Sequence, residues 1–299
     1  MKHRSIAVVG LGQMGHAIAN RLKEKEFRIT GWDKSSEACD KALKSGISVA
    51  SSLQLAVQNA DFVITSLPDS SAVRNAWLMQ DGIVNHARPG TICIELSTID
   101  PGVMKEIATI AGNRSLHTLD CPVSGGPIEA AAGTLVVMVG GLSEVIEKAR
   151  DVLESIGTKV MPTGDVGTAK VVKLVNNMMA MGNLLIACEA FSLGELAGVN
   201  QQILFEVLSN SGGCSKTFTK RIPPALNGDF SPKFKLSLAA KDLGLGLMMA
   251  KEMNAKAPGI SMIRDLFSQA LSDGFGDQDA VALLSMYRAW HAEANKKND

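Results

Sequence analysis

The 299-residue chain lacks a charge excess of either sign. Its 30 basic and 30 acidic side chains cancel, so no basic stripe is offered to nucleic acid or to an anionic membrane surface. It also lacks any patterned set of cysteines or histidines. Cys39, Cys93, Cys121, Cys188 and Cys214 are scattered, odd in number and without C-x-x-C spacing, which excludes a disulfide framework or a cysteine zinc site and suits a reducing compartment. His3, His16, His86, His117 and His291 form no H-E-x-x-H or paired arrangement, so no metal is expected. Neither a secretion signal nor a membrane span is expected. The first apolar run, Ile6 to Val9, ends at glycines and is too short for a signal core, and no uncharged stretch approaches the roughly 18 residues of a span. These absences point to a cytoplasmic protein whose partner is a small molecule.

What is present is an ordinary globular composition, 46% hydrophobic and 20% charged, at a length that suggests about two domains. In the first half, short β-rich runs alternate with helix-length segments. Ile6–Val9, Ile29–Trp32, Phe62–Ser66, Thr91–Leu96, His117–Asp120 and Leu135–Val139 are the expected strands. That alternation predicts right-handed βαβ crossovers and an α/β fold, a doubly wound, mainly parallel Rossmann sheet. After Pro162 the texture changes, and Val166–Leu196, Gln201–Asn210, Leu236–Met253 and Ser261–Asp273 carry helical spacing. The expectation is a dinucleotide-binding domain over 1–163 and an all-helical domain over 164–299, which begins with a long interdomain helix. No Pro/Gly-rich linker separates them, and the tail from Asn295 is expected to be disordered.

The strongest local signal is Gly10-Leu11-Gly12-Gln13-Met14-Gly15, placed between the Ile6–Val9 run and the helical pattern His16–Lys25. In a strand–turn–helix context the first glycine turns the chain, the second admits a pyrophosphate close to the backbone, and the third lets helix pack on strand. The helix N-terminus then faces the phosphate charge. The signature calls for an acid about 20 residues on to bond the adenosine ribose, and Asp33 ends the second expected strand. A carboxylate there repels a 2′-phosphate and favours NAD(H), although Lys34 and Ser35 beside it leave NADP(H) possible. Asp33 as a turn or capping residue is the alternative.

Further candidates fall at the ends of later strands, where open α/β sheets bind ligands. Leu67 and Pro68 lie in Ser66-Leu67-Pro68-Asp69, and Thr98 lies in Leu96-Ser97-Thr98-Ile99-Asp100. Both segments are placed to border ribose and nicotinamide, and turn or capping roles explain either nearly as well. In Asp120-Cys121-Pro122-Val123-Ser124-Gly125-Gly126-Pro127, Ser124 offers a hydroxyl and Gly125 and Gly126 offer backbone N–H groups for a carboxylate or oxyanion. The flanks are not those of a G-x-S-x-G elbow, which argues against a hydrolase.

The last candidate is the small-residue loop from Gly164 that runs into Ala169-Lys170-Val171-Val172-Lys173-Leu174-Val175-Asn176-Asn177. Lys173 and Asn177 are four apart and share one helix face. On residue chemistry alone Lys173 is as fairly a snorkelling surface lysine as an acid/base, and Lys170 is equally able to be the exposed one. Lys241-Asp242 in Ala239–Gly244 is uninformative by itself, since adjacent charges on a helix usually point to solvent.

Taken together, Gly10–Gly15, Asp120–Gly126, Gly164–Asn177 and Lys241-Asp242-Leu243-Gly244, in that order over almost the entire chain, resemble the motifs of the β-hydroxyacid dehydrogenase family. That family includes 3-hydroxyisobutyrate dehydrogenase and tartronate semialdehyde reductase. The resemblance implies NAD(P)-dependent hydride transfer on a small 3-hydroxyacid or its semialdehyde. It implies Lys173 as general acid/base, Asn177 orienting it and the substrate, Ser124-Gly125-Gly126 receiving the substrate carboxylate, and Lys241 approaching the nicotinamide. Acting in the oxidation direction, Lys173 would need a pKa lowered by burial or by Lys241. Ala169 stands where the family often has glycine. Ser211-Gly212-Gly213-Cys214 has Gly213 where 3-hydroxyisobutyrate enzymes carry arginine, which weakens that particular substrate. A nucleotide-sensing protein without turnover and an imine, glyoxylate or succinic semialdehyde reductase of the same fold are the rival readings. A homodimer or homotetramer is expected.

Overall fold

The computed structural model describes residues 4–296. The expectations about His3 and about residues 297–299 of the tail lie outside the described residues. The chain divides into two compact units, one ending at Lys173 and the other starting at Leu174.

The first unit runs β1 (Ser5–Val9), α1 (Gln13–Glu24), β2 (Arg28–Trp32), α2 (Ser36–Lys44), β3 (Ser48–Val49), α3 (Leu53–Val57), β4 (Phe62–Thr65), α4 (Ser70–Leu78), α5 (Ile83–His86), β5 (Ile92–Glu95), α6 (Pro101–Gly112), β6 (His117–Asp120), β7 (Val123–Ser124), α7 (Pro127–Ala132), β8 (Leu135–Gly140), α8 (Ser143–Ile156) and β9 (Gly157–Gly164). The strands order as β3-β2-β1-β4-β5-β6-β8-β7, with β9 also pairing β8. From β3 to β6 every pairing is parallel. The expected parallel strand at Leu135–Val139 is instead antiparallel to both β6 and β7. The reason is the connection, because only the short α7 separates β7 from β8, too little for a crossover back to the same edge.

Burial explains why these runs are strands. Ile6 and Val8 pack in one core cluster while Ala7 and Val9 pack in another, and Ile92 and Ile94 face the first with Cys93 facing the second. A sheet covered on both faces needs such apolar runs. The helices that follow start where short polar side chains supply the missing acceptors. Ser35, Ser52, Asp69 and Asp100 cap α2, α3, α4 and α6. Asp69 and Asp100 are thus capping residues beside the candidate cofactor segments.

The second unit is helical. It contains most of α9 (Thr168–Leu196), then α10 (Gln201–Ser209), α11 (Lys216–Leu226), α12 (Leu236–Glu252), α13 (Pro258–Ser272), a 3-10 turn (Ala280–Ala282) and α14 (Leu283–Lys296). Its core joins Leu184, Leu185, Cys188 and Phe191 to Phe218, Leu236, Leu243, Phe267 and Tyr287. Asp279, nearly fully buried, ties three segments: it pairs with Arg221 and accepts the N–H groups of Lys233, Phe234 and Val281. Two expectations need correction. Asn295 and Lys296 continue α14 rather than begin a disordered tail. And α9 is long and apolar enough by composition to cross a membrane, because Leu174–Cys188 carries no charge. About a third of the 18-residue stretch that qualifies is buried, with Met181, Leu184, Leu185 and Cys188 in the helical core, while Val175, Met179 and Ile186 are exposed.

Candidate active site

The glycine loop has the geometry its sequence asks for. Gly10 sits at φ +93°, a left-handed conformation that favours glycine. A Cβ at Gly15 would stand 1.8 Å from the carbonyl oxygen of Gly10, so the helix meets the turn at a distance no other residue permits. Gly12 differs, since a Cβ there would meet nothing within 4 Å. Gly12 is the N-cap of α1 and gives no side-chain cap, and the first turn carries no acid. An N-terminus without a side-chain cap, beside open space at Gly12, is a position where a helix can accept an anion. Leu11 is buried and Gln13 exposed, with Met14 between.

Asp33 follows β2 directly, and its Oδ2 accepts the N–H of Leu11 at 2.7 Å while Oδ1 accepts that of Ser35 at 2.8 Å. The carboxylate therefore braces the glycine loop and keeps lone pairs for a ribose hydroxyl. Leu67 donates its N–H to Ser97 Oγ at 2.8 Å, tying the segment after β4 to the segment after β5. Pro68 is exposed and Thr98 partly buried, so both candidate cofactor segments sit at the carboxyl ends of neighbouring parallel strands.

Ser124 ends β7 opposite Val136 and is partly buried, while Gly125 is exposed. The Gly126 N–H is not free: it donates to Glu129 Oε2 at 2.8 Å. Of the three groups expected to receive a carboxylate, one already holds a carboxylate of the chain itself.

Two polar clusters meet α9. In the first unit, Lys170 is wholly buried, against the expectation that it is as able as Lys173 to be exposed. Its Nζ lies 2.7 Å from Glu95 Oε2 and 3.1 Å from Asp120 Oδ1 and donates to the Glu95 carbonyl at 2.9 Å. Neither of those carboxylate oxygens has a well-aligned hydrogen bond, so the contact is ionic. Burial works against the Lys170 ammonium, but Glu95 and then Asp120 outweigh it and hold its pKa above the ordinary lysine value. The same surroundings, burial first and the Asp120 charge next, push the neighbouring Cys121 thiol well up.

In the second unit, Asn177 is buried and donates from Nδ2 to Asp242 Oδ2 at 2.6 Å, while its own Oδ1 accepts from Asn176 at 3.1 Å. Asp242 Oδ1 faces Lys241 Nζ at 3.0 Å. The side chain of Asp242 is 3% exposed and that of Lys241 27%, so the pair does not point to solvent as adjacent helix charges usually do. Asp242 turns inward because α12 buries Ala239, Ala240 and Leu243 around it. Lys173 lies on α9 between Lys170 and Asn177 and is partly buried.

Sequence reasoning missed Glu95 and Asp242 as site residues and placed Asp120 at the end of an expected strand and the start of a motif without giving it a role. A signal was there: Glu95 ends the apolar strand Ile92–Glu95 and Asp120 ends the neighbouring expected strand, where a charge needs a partner to be buried.

Residues 5–164 match the family model described as the NAD binding domain of 6-phosphogluconate dehydrogenase. Residues 167–287 match the one described as NAD-binding of NADP-dependent 3-hydroxyisobutyrate dehydrogenase. The chain is 36% identical to an NAD-dependent L-serine dehydrogenase of Pseudomonas aeruginosa, over 95% of this chain and 98% of that protein. It is 31% identical to a 3-sulfolactaldehyde reductase of Escherichia coli, over 95% and 96%. A solved Mycobacterium tuberculosis 3-hydroxyisobutyrate dehydrogenase with L-serine superposes with a TM-score of 0.88 at 33% identity, covering 95% of this chain and 99% of that one.

Proposed function

The chain belongs to the β-hydroxyacid dehydrogenase family, and from that premise we propose that Lys173 moves the proton in hydride transfer between NAD(H) and a small 3-hydroxyacid or its semialdehyde. The protein is an NAD-dependent oxidoreductase of the class that acts on CH–OH groups. One observation carries the residue assignment. Lys173 stands one helical turn before Asn177, whose amide is buried and fixed by Asp242, so a proton-transfer group and a preset hydrogen-bonding group share one face.

When bound, NAD(H) supplies or accepts the hydride. Gly10, Gly12 and Gly15 with the N-terminus of α1 would hold its pyrophosphate, and Asp33 would take the adenosine ribose and disfavour a 2′-phosphate. Leu67, Pro68 and Thr98 would border the rest of the cofactor, and the family resemblance assigns Lys241 to the nicotinamide end. In reduction, the Lys173 ammonium gives a proton to the carbonyl oxygen as it becomes an alkoxide; in oxidation, the neutral amine takes the hydroxyl proton. Ser124 and the Gly125 N–H receive the substrate carboxylate, and Asn177 orients the reacting end. Gly126 joins them only where Glu129 gives up its bond.

The relatives support the substrate class. L-serine and 3-hydroxyisobutyrate, the substrates their names carry, are both acids with a hydroxyl on carbon 3. The test is a spectrophotometric NAD(H) screen across 3-hydroxyacids, their semialdehydes and glyoxylate. Turnover strongest with a 3-hydroxyacid pair is expected, and none with any of them overturns the reading. Assembly as a homodimer or homotetramer is supported by Val172, Val175, Met179, Ile186 and Leu193, large apolar side chains left exposed at helical spacing on α9. A monomer in light scattering at micromolar concentration would refute it. Free thiols at all five cysteines support a cytoplasmic location, to be checked by cell fractionation.

A further inference from the structure

The charge on Lys170 has no part in the chemistry proposed for Lys173. It is wholly buried, so it touches neither substrate nor cofactor. Packing does not require it either, because buried ion clusters are often replaced by apolar residues of similar volume with no loss of stability. What the cluster does hold is backbone. Asp120 Oδ2 accepts the N–H of Gly167, just before α9, at 2.8 Å and that of Lys170, in its first turn, at 3.1 Å, donors that a helix start leaves without an intrahelical acceptor. Glu95 Oε1 accepts the N–H of Ser97 at 2.8 Å, and Ser97 Oγ in turn accepts that of Leu67. Thr65 on β4 also reaches Glu95, with Trp77 behind it.

The segments tied in this way are those after β4, β5 and β6, where a parallel sheet binds ligands, and the helical turn just before Lys173. Two carboxylates buried together repel, which favours turning them away from their N–H partners. The Lys170 ammonium between them removes that conflict.

We propose that Lys170, Glu95 and Asp120 form a positioning cluster that fixes the first turn of α9, and with it Lys173, relative to the Leu67–Thr98 cofactor segments of the same unit. The inference rests on Lys173 as the proton-transfer residue, and it adds a reason for a second, buried lysine three positions earlier. Lys170 is a positioning residue, since its effect passes through the backbone that its two partners hold.

The experiment compares the wild-type full chain with Lys170→Met and with the charge-balanced pair Glu95→Gln/Lys170→Met. Amide hydrogen exchange is measured without cofactor, followed by NADH affinity and by kcat with NAD+ and 3-hydroxyisobutyrate or whichever hydroxyacid the screen selects. In Lys170→Met, exchange is expected to rise in residues 96–98 and 165–173 while the helical unit keeps its protection. The kcat is expected to fall by about 10–100-fold, the cost of a misplaced catalytic group, with the NADH Kd within about threefold. The charge-balanced pair is expected to recover most of both. Unchanged exchange and kcat in Lys170→Met, a uniform rise in exchange across the chain, or a pair no better than the single variant each overturns the cluster. If Lys170→Met gives no soluble protein, Lys170→Gln is measured in its place and judged by the same outcomes. Full turnover in Lys173→Ala would defeat the acid/base assignment alone, and the exchange pattern would then judge the cluster by itself.

Discussion

The same pair of charges, a lysine against an aspartate, occurs in both units with opposite exposure. Around Lys170 every side chain is sealed, with no exposure at the lysine or at Glu95. Around Asp242 the carboxylate is sealed but 27% of the Lys241 side chain stays open. A closed ion cluster spends its interactions on geometry, because nothing from solution reaches it. A half-open one keeps its carboxylate to fix Asn177 while its ammonium remains within reach of a ligand. α9 gives Lys170 to the first and Asn177 to the second, and Lys173 lies between them in sequence.

Lys173→Ala separates chemistry from geometry and carries the largest expected effect. Removing a general acid/base should lower kcat by about 10²–10⁴-fold, with NADH affinity within about threefold of wild type in a fluorescence titration. Turnover close to wild type would defeat the acid/base assignment of Lys173 and leave the Lys170 cluster to be judged by hydrogen exchange. Asp242→Asn probes the half-open cluster. It leaves Asn177 without its charged acceptor and removes the Lys241–Asp242 ion pair, and kcat/KM for the hydroxyacid should fall by about 5–100-fold, as for a buried polar group that loses its partner. If the NADH Kd weakens as much as kcat/KM does, the cluster serves the cofactor rather than the substrate. Asp33→Ser lies outside both clusters and acts as their control. It should move the ratio of kcat/KM for NADH over NADPH by about tenfold toward NADPH, on the order of one charged contact. A change in thermal midpoint without a change in that ratio would reduce Asp33 to a brace for Leu11.

Sequence legibility follows the same divide between local and distant causes. β1, β4, β5 and β8 were expected because each is largely a continuous apolar run, while β2 and β6 mix polar and β-favouring residues and were expected from their spacing between helix-length segments. β3 and β7 hold two residues each, too few to show a period. β9 is mostly exposed and contains Lys159 and Pro162, so its sequence looks like a connection, and only its pairing with β8 makes it a strand. α11 was hidden by Pro223 and Pro224, yet the burial of Phe218, Ile222 and Ala225 carries the helix through them. α14 was missed as well, its start following a 3-10 turn rather than a capping residue. The glycine loop could be read because its glycine pattern lies within six residues, although Asp33 and Ser66 also press on it from farther along the chain. The burial of Lys170 could not, since its partners Glu95 and Asp120 are 75 and 50 residues away and no local spacing marks them. Asp242 was hidden for the same reason, its partner Asn177 lying 65 residues away.

The smallest effect tests the seal itself through a thiol. Cys121 follows Asp120 and is fully buried, Cys93 is likewise buried on β5, and Cys214 is exposed. A thiol reacts as its thiolate. Burial pushes Cys93 up to about 12, and burial with the Asp120 charge pushes Cys121 higher than an ordinary thiol, against a smaller opposing effect of Lys170. At pH 8 a disulfide reagent should therefore label Cys214 promptly and leave Cys93 and Cys121 untouched until the chain unfolds. In Lys170→Met the lost cation makes the Cys121 thiolate still less favourable, so electrostatics alone predicts slower labelling. Loosening of the first turn of α9 predicts the reverse, a rate a few-fold above wild type as local opening becomes more frequent. The two causes have opposite signs, so faster labelling of Cys121 with unchanged Cys93 identifies the cluster as the latch on that turn.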